Sequence, residues 1–284
     1  MREISITSTI NSHYNRFTAT EKKAADYILE HAEAVVYMSI TDLAEGCGVG
    51  EASIFRFCKA LGFKGYQQFK IALAHSISAD NEIPQLSAQV KLQDTLEEAV
   101  SKTLQSNINA LNETFKLIQL DFINRAIDLL IRSDRFIFYG VGSSLMTAME
   151  ANNKFMRITN KTGCSVDSHQ QAMSAALMGE KDVAIIISYS GSTKDSIEVA
   201  KKAKERGAAI IVITRFVKSP LTSYSDITLL CGANEGPLQG GSLSAKIAQL
   251  YLLDVLYVEY FKRTYEASIV NKENTSAAVA VKLF

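Results

Sequence analysis

Between residues 135 and 230, short runs rich in β-branched and aromatic residues alternate with amphipathic stretches long enough to be helices. The runs are residues 136–139, 164–166, 183–188, 209–214 and 227–230. Antiparallel neighbours need only a tight turn, whereas parallel strands need a crossover of a dozen or more residues. Five runs separated by such crossovers therefore predict a parallel sheet with helices on its faces, a doubly wound α/β layer. The first 77 residues have a different texture. Their apolar positions recur at helical spacing, with no β-branched run long enough for a buried strand. A length of 284 residues accommodates two such domains. The segment 78–95 contains a proline and many polar residues and reads as a linker. The α/β domain then takes residues 96–264 with a leading helix, and 265–284 is left as a C-terminal tail. In the leading helix Leu104, Ile108, Leu111, Phe115 and Ile118 trace a short heptad seam, which calls for cover by its own domain or by a partner subunit.

Composition removes several classes of function. Hydrophobic residues at 47% and charged residues at 21% describe a globular chain rather than a disordered one. The longest apolar stretches, 184–187 and 208–213, fall far short of the roughly 20 residues of a membrane-spanning helix. The first residues lack a secretory h-region, so a cytoplasmic location and no membrane partner are expected. Cys47, Cys58, Cys164 and Cys231 are scattered with no metal-ligand spacing, which predicts reduced thiols and no metal site.

Thirty basic and thirty acidic side chains cancel overall, so a nucleic-acid face has to be local. Thr18 and Glu21 fit a capping box that opens one helix, and Ser39 opens a second, short one. Gly46 to Val49 breaks that second helix. Another follows over about 51–61, with Ile54, Phe57, Cys58 and Leu61 as its buried stripe. Helix, glycine turn, helix is the helix-turn-helix arrangement. The other face of the last helix carries Ala52, Ser53, Arg56 and Lys59, small residues punctuated by cations. Small residues allow close approach to base edges, Arg56 can pair with guanine or phosphate, and Ser53 can donate at the end that enters the groove first. Residues 52–77 hold Arg56, Lys59, Lys64 and Lys70 with no acid, whereas the first 51 residues hold eight acids against four cations. The neutral total conceals a basic patch on and after the presumed recognition helix.

Two turns in the α/β half carry anion-binding chemistry. The run 136–139 leads into Gly140-Val141-Gly142-Ser143-Ser144 and a helix, which brings backbone N–H groups close to a bound anion. Leu145 stands where the third glycine of a dinucleotide fingerprint would be; Asp167, after the second strand, keeps an NAD reading open. The run 183–187 ends in Ser188-Tyr189-Ser190-Gly191-Ser192-Thr193 before another helix, a set of hydroxyls able to cradle a phosphate without a metal. Residues 235–242, with Glu235 and several glycines, are a candidate flap. Glu150, Glu235 and His169 are the available bases for any isomerase chemistry, but their spacing specifies no catalytic pair.

The segment 20–70, with EKKAADYIL, SITDLAEGCGV and above all RFCKALGFKGYQQFK, resembles the N-terminal domain of the RpiR family of bacterial transcriptional regulators. Residues 125–261, with the intact serine-rich turn after the third strand, resemble the sugar isomerase (SIS) domain, in the order expected of that family. The resemblance implies two domains: an all-α helix-turn-helix bundle, then a doubly wound parallel five-stranded sheet in flavodoxin-like order. It supports the DNA face read above, whose expected contacts are Gly50, Glu51, Ala52, Ser53, Arg56, Lys59 and Lys64, with Gly50 standing where members usually have a capping serine. It also implies a phosphorylated sugar or amino sugar as effector, held by Ser143, Ser144, Ser188, Ser190 and Thr193, to which the turns and the candidate flap add Gly142, Gly191, Ser192 and Glu235, with no cofactor and no catalysis expected. The expected assembly is a homodimer or homotetramer on a near-palindromic double-stranded operator. Two other readings stay open, an NAD-sensing redox regulator and a sugar-phosphate isomerase carrying a DNA-binding domain.

Overall fold

The computed structural model describes residues 6–80, 90–233, 235–238 and 243–282, with the side chains of 78–80 left aside. The chain divides into two compact units. One comprises residues 1–108 together with 234–244, the other residues 109–233 and 245–284.

The first unit is helical. Helices α1 (Ile6–His13), α2 (Ala19–Glu30), α3 (Ala32–Val35), α4 (Ile40–Gly46), α5 (Glu51–Ala60) and α6 (Tyr66–Asp80) surround one apolar core. Thr18 and Ser39 each form a complete capping box, starting α2 and α4 where the sequence predicts. Ile54, Phe57 and Cys58 of α5 are fully buried, while Leu61 is half-buried beyond the helix end. Phe57 meets Phe17 and Phe69 at ring-centroid distances of 5.2 and 5.9 Å. Residues 78–80, predicted to begin the linker, continue α6; residues 81–89 lie outside the described set. Within this unit Leu238 packs against the helical core, and Gly236 lies beside the Tyr37 ring.

Helix α7 (Leu96–Leu117) contains the boundary between the units. Leu104, Ile108 and Phe115 of its heptad seam are exposed, and the side it buries presents Ala110 and Thr114 instead.

The second unit has five parallel strands, β1 (Arg135–Gly140), β2 (Thr162–Cys164), β3 (Asp182–Ile187), β4 (Ala209–Thr214) and β5 (Ile227–Leu230), in the order β2-β1-β3-β4-β5. This is the predicted flavodoxin-like order. Its helices are α8 (Leu120–Arg132), α9 (Ser143–Phe155), α10 (Ser168–Ala176), α11 (Lys194–Glu205), α12 (Leu243–Arg263) and α13 (Tyr265–Ala280), the first two residues of α12 grouping with the helical unit. Side chains alternate across the sheet. Phe136, Phe138, Ile185, Ile187, Ile211 and Ile213 enter a core with α8, α9 and α12, while Tyr139, Ala184, Ile186, Ile210 and Val212 enter one with α10 and α11. Burial on both faces explains why β3 and β4 read as unbroken apolar runs. The short β2 lies two residues earlier than the run predicted at 164–166. The supposed tail 265–284 holds the 16-residue α13, anchored where Asn271 Nδ2 donates to the Ile158 carbonyl and the Thr275 hydroxyl to that of Arg157, each at 3.0 Å.

No helix among the described residues is long and apolar enough to cross a membrane. No group of three or more His, Cys, Asp or Glu able to hold a metal occurs among them. None of the four cysteines is in a disulfide, and burial pushes the Cys47 and Cys58 thiols up to about 11 and about 12, away from thiolate chemistry.

Candidate functional site

In the helical unit, Gly50 occupies the N-cap of α5 in extended conformation without a side-chain cap. The exposed stripe of α5 is Ala52, Phe55, Arg56, Lys59 and Ala60. Two residues depart from expectation. Ser53 is only 8% exposed, and its hydroxyl accepts a hydrogen bond from Arg56 Nη2 at 3.2 Å. It steadies the guanidinium rather than projecting from the helix. Lys70, counted among the surface cations, is 7% exposed and donates to the Met38 carbonyl at 2.9 Å with its ammonium 5.5 Å from the Tyr66 ring centroid. Burial lowers its pKa to about 8, with Asp42 opposing the shift. The basic surface on and after α5 therefore reduces to Arg56, Lys59 and Lys64. Glu51 turns its carboxylate to the Thr41 hydroxyl of α4, 2.5 Å away, linking the two helices of the motif. Phe55, absent from the sequence-derived contacts, stands 44% exposed beside Arg56.

In the α/β unit, β1 and β3 are neighbours, with Gly140 in register with Ile187. The turns that follow them lead to α9 and α11. The strand order reverses between β1 and β3, and the crevice at such a switch point is where open α/β sheets bind ligands. Gly142 takes φ +60° and ψ −127°, a conformation open to glycine alone, and forms the N-cap of α9. Gly191 has φ +60°, and a Cβ there would lie 2.1 Å from Ser219 Oγ. Neither Gly142 nor Thr193 caps its helix with a side chain, and helix N-termini such as those of α9 and α11 favour an anion.

The hydroxyls predicted to form the cradle come together around the second turn. Ser188 is buried at the end of β3, its Oγ 3.4 Å from that of Thr193. The Ser192 N–H donates to Ser190 Oγ at 3.2 Å, and the Ser192 hydroxyl donates to the Ser190 carbonyl at 3.2 Å. As an acceptor in that contact, Ser190 retains its own proton for a ligand. Ser143 and Ser144 are half-buried in the first turn of α9. The walls are braced by groups that no motif announces. Gln171 Nε2 donates to the Gly140 and Ser165 carbonyls at 2.9 and 2.8 Å, and the Thr214 hydroxyl donates to the Tyr189 carbonyl at 3.1 Å. Glu235 is grouped with the helical unit, where its carboxylate accepts from the Ser244 hydroxyl at 3.0 Å. Asp167, the acid that kept a ribose site open, accepts from the Gln170 N–H at 2.9 Å as the N-cap of α10. His169 is exposed in that helix's first turn.

A helix-turn-helix unit and a doubly wound layer in one chain define the class of two-domain DNA-binding regulators. Comparison with known proteins makes this specific. Residues 4–80 match the helix-turn-helix domain of the rpiR family, and residues 129–259 match the SIS domain. A regulator of Clostridium perfringens, named as an uncharacterized HTH-type transcriptional regulator, is 38% identical over 92% of this chain and 94% of its own. The HTH-type transcriptional regulator RpiR of Escherichia coli K12 is 30% identical over 92% of this chain and 88% of its own. Among solved structures, the Vibrio vulnificus NanR protein complexed with ManNAc-6P superposes with a TM-score of 0.87 at 30% identity, covering 99% of this chain and 100% of that one. The chain belongs to the RpiR family of helix-turn-helix transcriptional regulators.

Proposed function

We propose that the protein controls genes of sugar metabolism, reading operator DNA through α5 and binding a phosphorylated sugar or amino sugar at the β1/β3 switch point without converting it. It acts in the cytoplasm, where its operator lies, as a homodimer or homotetramer on a near-palindromic site. The observation that carries the effector assignment is the pair of helix N-termini without side-chain caps, α9 and α11, set among the hydroxyls of Ser143, Ser144, Ser188, Ser190, Ser192 and Thr193. Such a site favours a dianion without a metal. The phosphorylated amino sugar in the NanR complex supports this ligand class. Binding without turnover is the simpler reading, since the spacing of Glu150, Glu235 and His169 specifies no catalytic pair, His169 lies exposed and Glu235 accepts from Ser244. Effector binding shifts operator affinity because it favours one arrangement of the paired DNA readers over another.

The test is calorimetric titration of the full chain with a panel of phosphorylated sugars and amino sugars beginning with ManNAc-6P, with their unphosphorylated parents and NADH in parallel. A phosphorylated compound should bind and alter operator affinity, while its parent does neither. Binding of NADH alone would overturn the reading, and solvent proton exchange into the bound sugar would make the protein an isomerase.

A further inference from the structure

Phe55 is exposed on the stripe of α5 that carries the cations, although Ile54, Phe57 and Cys58 of the same helix are fully buried. An apolar ring in water costs free energy, and this one has a cation on its face and backbone at its edge. Lys59 Nζ lies over the ring at 5.6 Å from its centroid, and the ring edge is close enough to Gly65 that a Cβ there would lie 3.4 Å away. Arg56 and Lys59 flank it, so whatever covers Phe55 also takes two cations. That charge complementarity selects a polyanion over an apolar protein surface. Within the major groove the apolar group on offer is the C5-methyl of thymine.

We infer that Phe55 is a specificity-determining residue that reads a thymine methyl in each half-site, next to the contact made by Arg56. This rests on the DNA-reading role given to α5. Ser53, which the sequence nominates as a hydrogen-bond donor at the groove, is buried and serves Arg56 instead.

The experiment uses the full chain and duplexes it enriches from a random pool. Each thymine of the enriched site is replaced singly by deoxyuridine, which removes only the methyl, and affinity is read by fluorescence anisotropy. One position per half-site should lose about fourfold in affinity, the value of one buried methyl group. Phe55→Ala should bind both versions equally, Phe55→Leu should keep part of the discrimination, and Arg56→Ala should bind weakly yet still discriminate. Thermal unfolding of each variant shows whether it folds; Phe55→Leu, which preserves apolar bulk, decides the matter should Phe55→Ala fail to. Enrichment with no thymine sensitivity, or equal sensitivity in wild type and Phe55→Ala, overturns the role of Phe55 alone. Failure to enrich any sequence overturns the DNA-reading role of α5 and this inference with it.

Discussion

Replacing Gly191 by Ala places a methyl group where the turn after β3 has no room for one. Two costs combine. The backbone at φ +60° disfavours any L side chain by about 1–2 kcal/mol. The new Cβ would also sit 2.1 Å from Ser219 Oγ and 2.6 Å from Ser219 Cβ, an overlap that forces the 219–222 loop to move. That loop is tied to the turn, because the Leu221 N–H donates to the Gly191 carbonyl at 3.0 Å. Overpacking of this kind costs about 1–3 kcal/mol. The whole effect is therefore about 2–5 kcal/mol, which for an α/β unit of this size lowers the melting temperature by about 5–15 °C. Scanning calorimetry of the full chain measures it. The double variant Gly191→Ala/Ser219→Gly removes both overlapping atoms and should recover the packing share while leaving the backbone share, a coupling that a double-mutant cycle isolates. Ser219→Gly alone gives up the hydroxyl that accepts from the Thr222 N–H at 3.2 Å, so its own cost enters the cycle as a control. Sugar-phosphate affinity should fall with the single variant. If Gly191→Ala melts with the wild type, or if Ser219→Gly makes matters worse rather than better, the geometric account of this turn is wrong.

Arg56→Ala should lose about 1–3 kcal/mol of operator affinity in a gel-shift titration, and Ser53→Ala should lose less, since Ser53 acts through the guanidinium; equal losses would mean that Ser53 reaches DNA itself. Ser190→Ala should lose about 1.5–3 kcal/mol of sugar-phosphate affinity by calorimetry while operator binding in the absence of effector is unchanged, and undiminished affinity would remove Ser190 from the site. Lys70 has a folded pKa near 8 against 10.5 for the free side chain, so between those values the unfolded chain holds the extra proton and stability rises with pH. The rise totals on the order of 3 kcal/mol, with the cost of burying the charge fully present below pH 8. Chemical unfolding of wild type and Lys70→Met across this window should show the slope vanishing in the variant, and parallel profiles would count against a buried ammonium.

Much of this fold is legible before any coordinates. β3 and β4 announce themselves because burial on both faces leaves no room for polar alternation, and Thr18 and Ser39 start helices through local chemistry that needs no tertiary partner. β2 is shifted because it is a three-residue, half-buried edge strand, while the β-branched Val166 that suggested it is exposed beyond its end. Helix α13 looks like a tail because no apolar stripe marks a buried face, Ser268 being its buried residue; its anchors are the distant carbonyls of Arg157 and Ile158. At the DNA face, charge counting treats each lysine as solvated and so misplaces Lys70, whose partner is the Met38 carbonyl. Ser53 sits at the rim between the two faces of α5, where a small hydroxyl suits either side. Phe55 belongs to neither face traced from the sequence, and only its exposure places it among the cations. The serine-rich turn after β3 is visible as a motif, whereas the brace supplied by Gln171 is not, because a lone glutamine in an amphipathic helix carries no signal of the two carbonyls it joins.

The placement of Leu238 bears on how the DNA reader is best studied. Although it lies between β5 and α12 in the chain, it seats itself on the helical core, and neighbouring Gly236 lies against the Tyr37 ring. A fragment ending at residue 80 would leave that seat bare to water. Melting curves and binding isotherms from such a fragment would report a reader missing one of its own plugs, so the intact polypeptide is the proper reference for both.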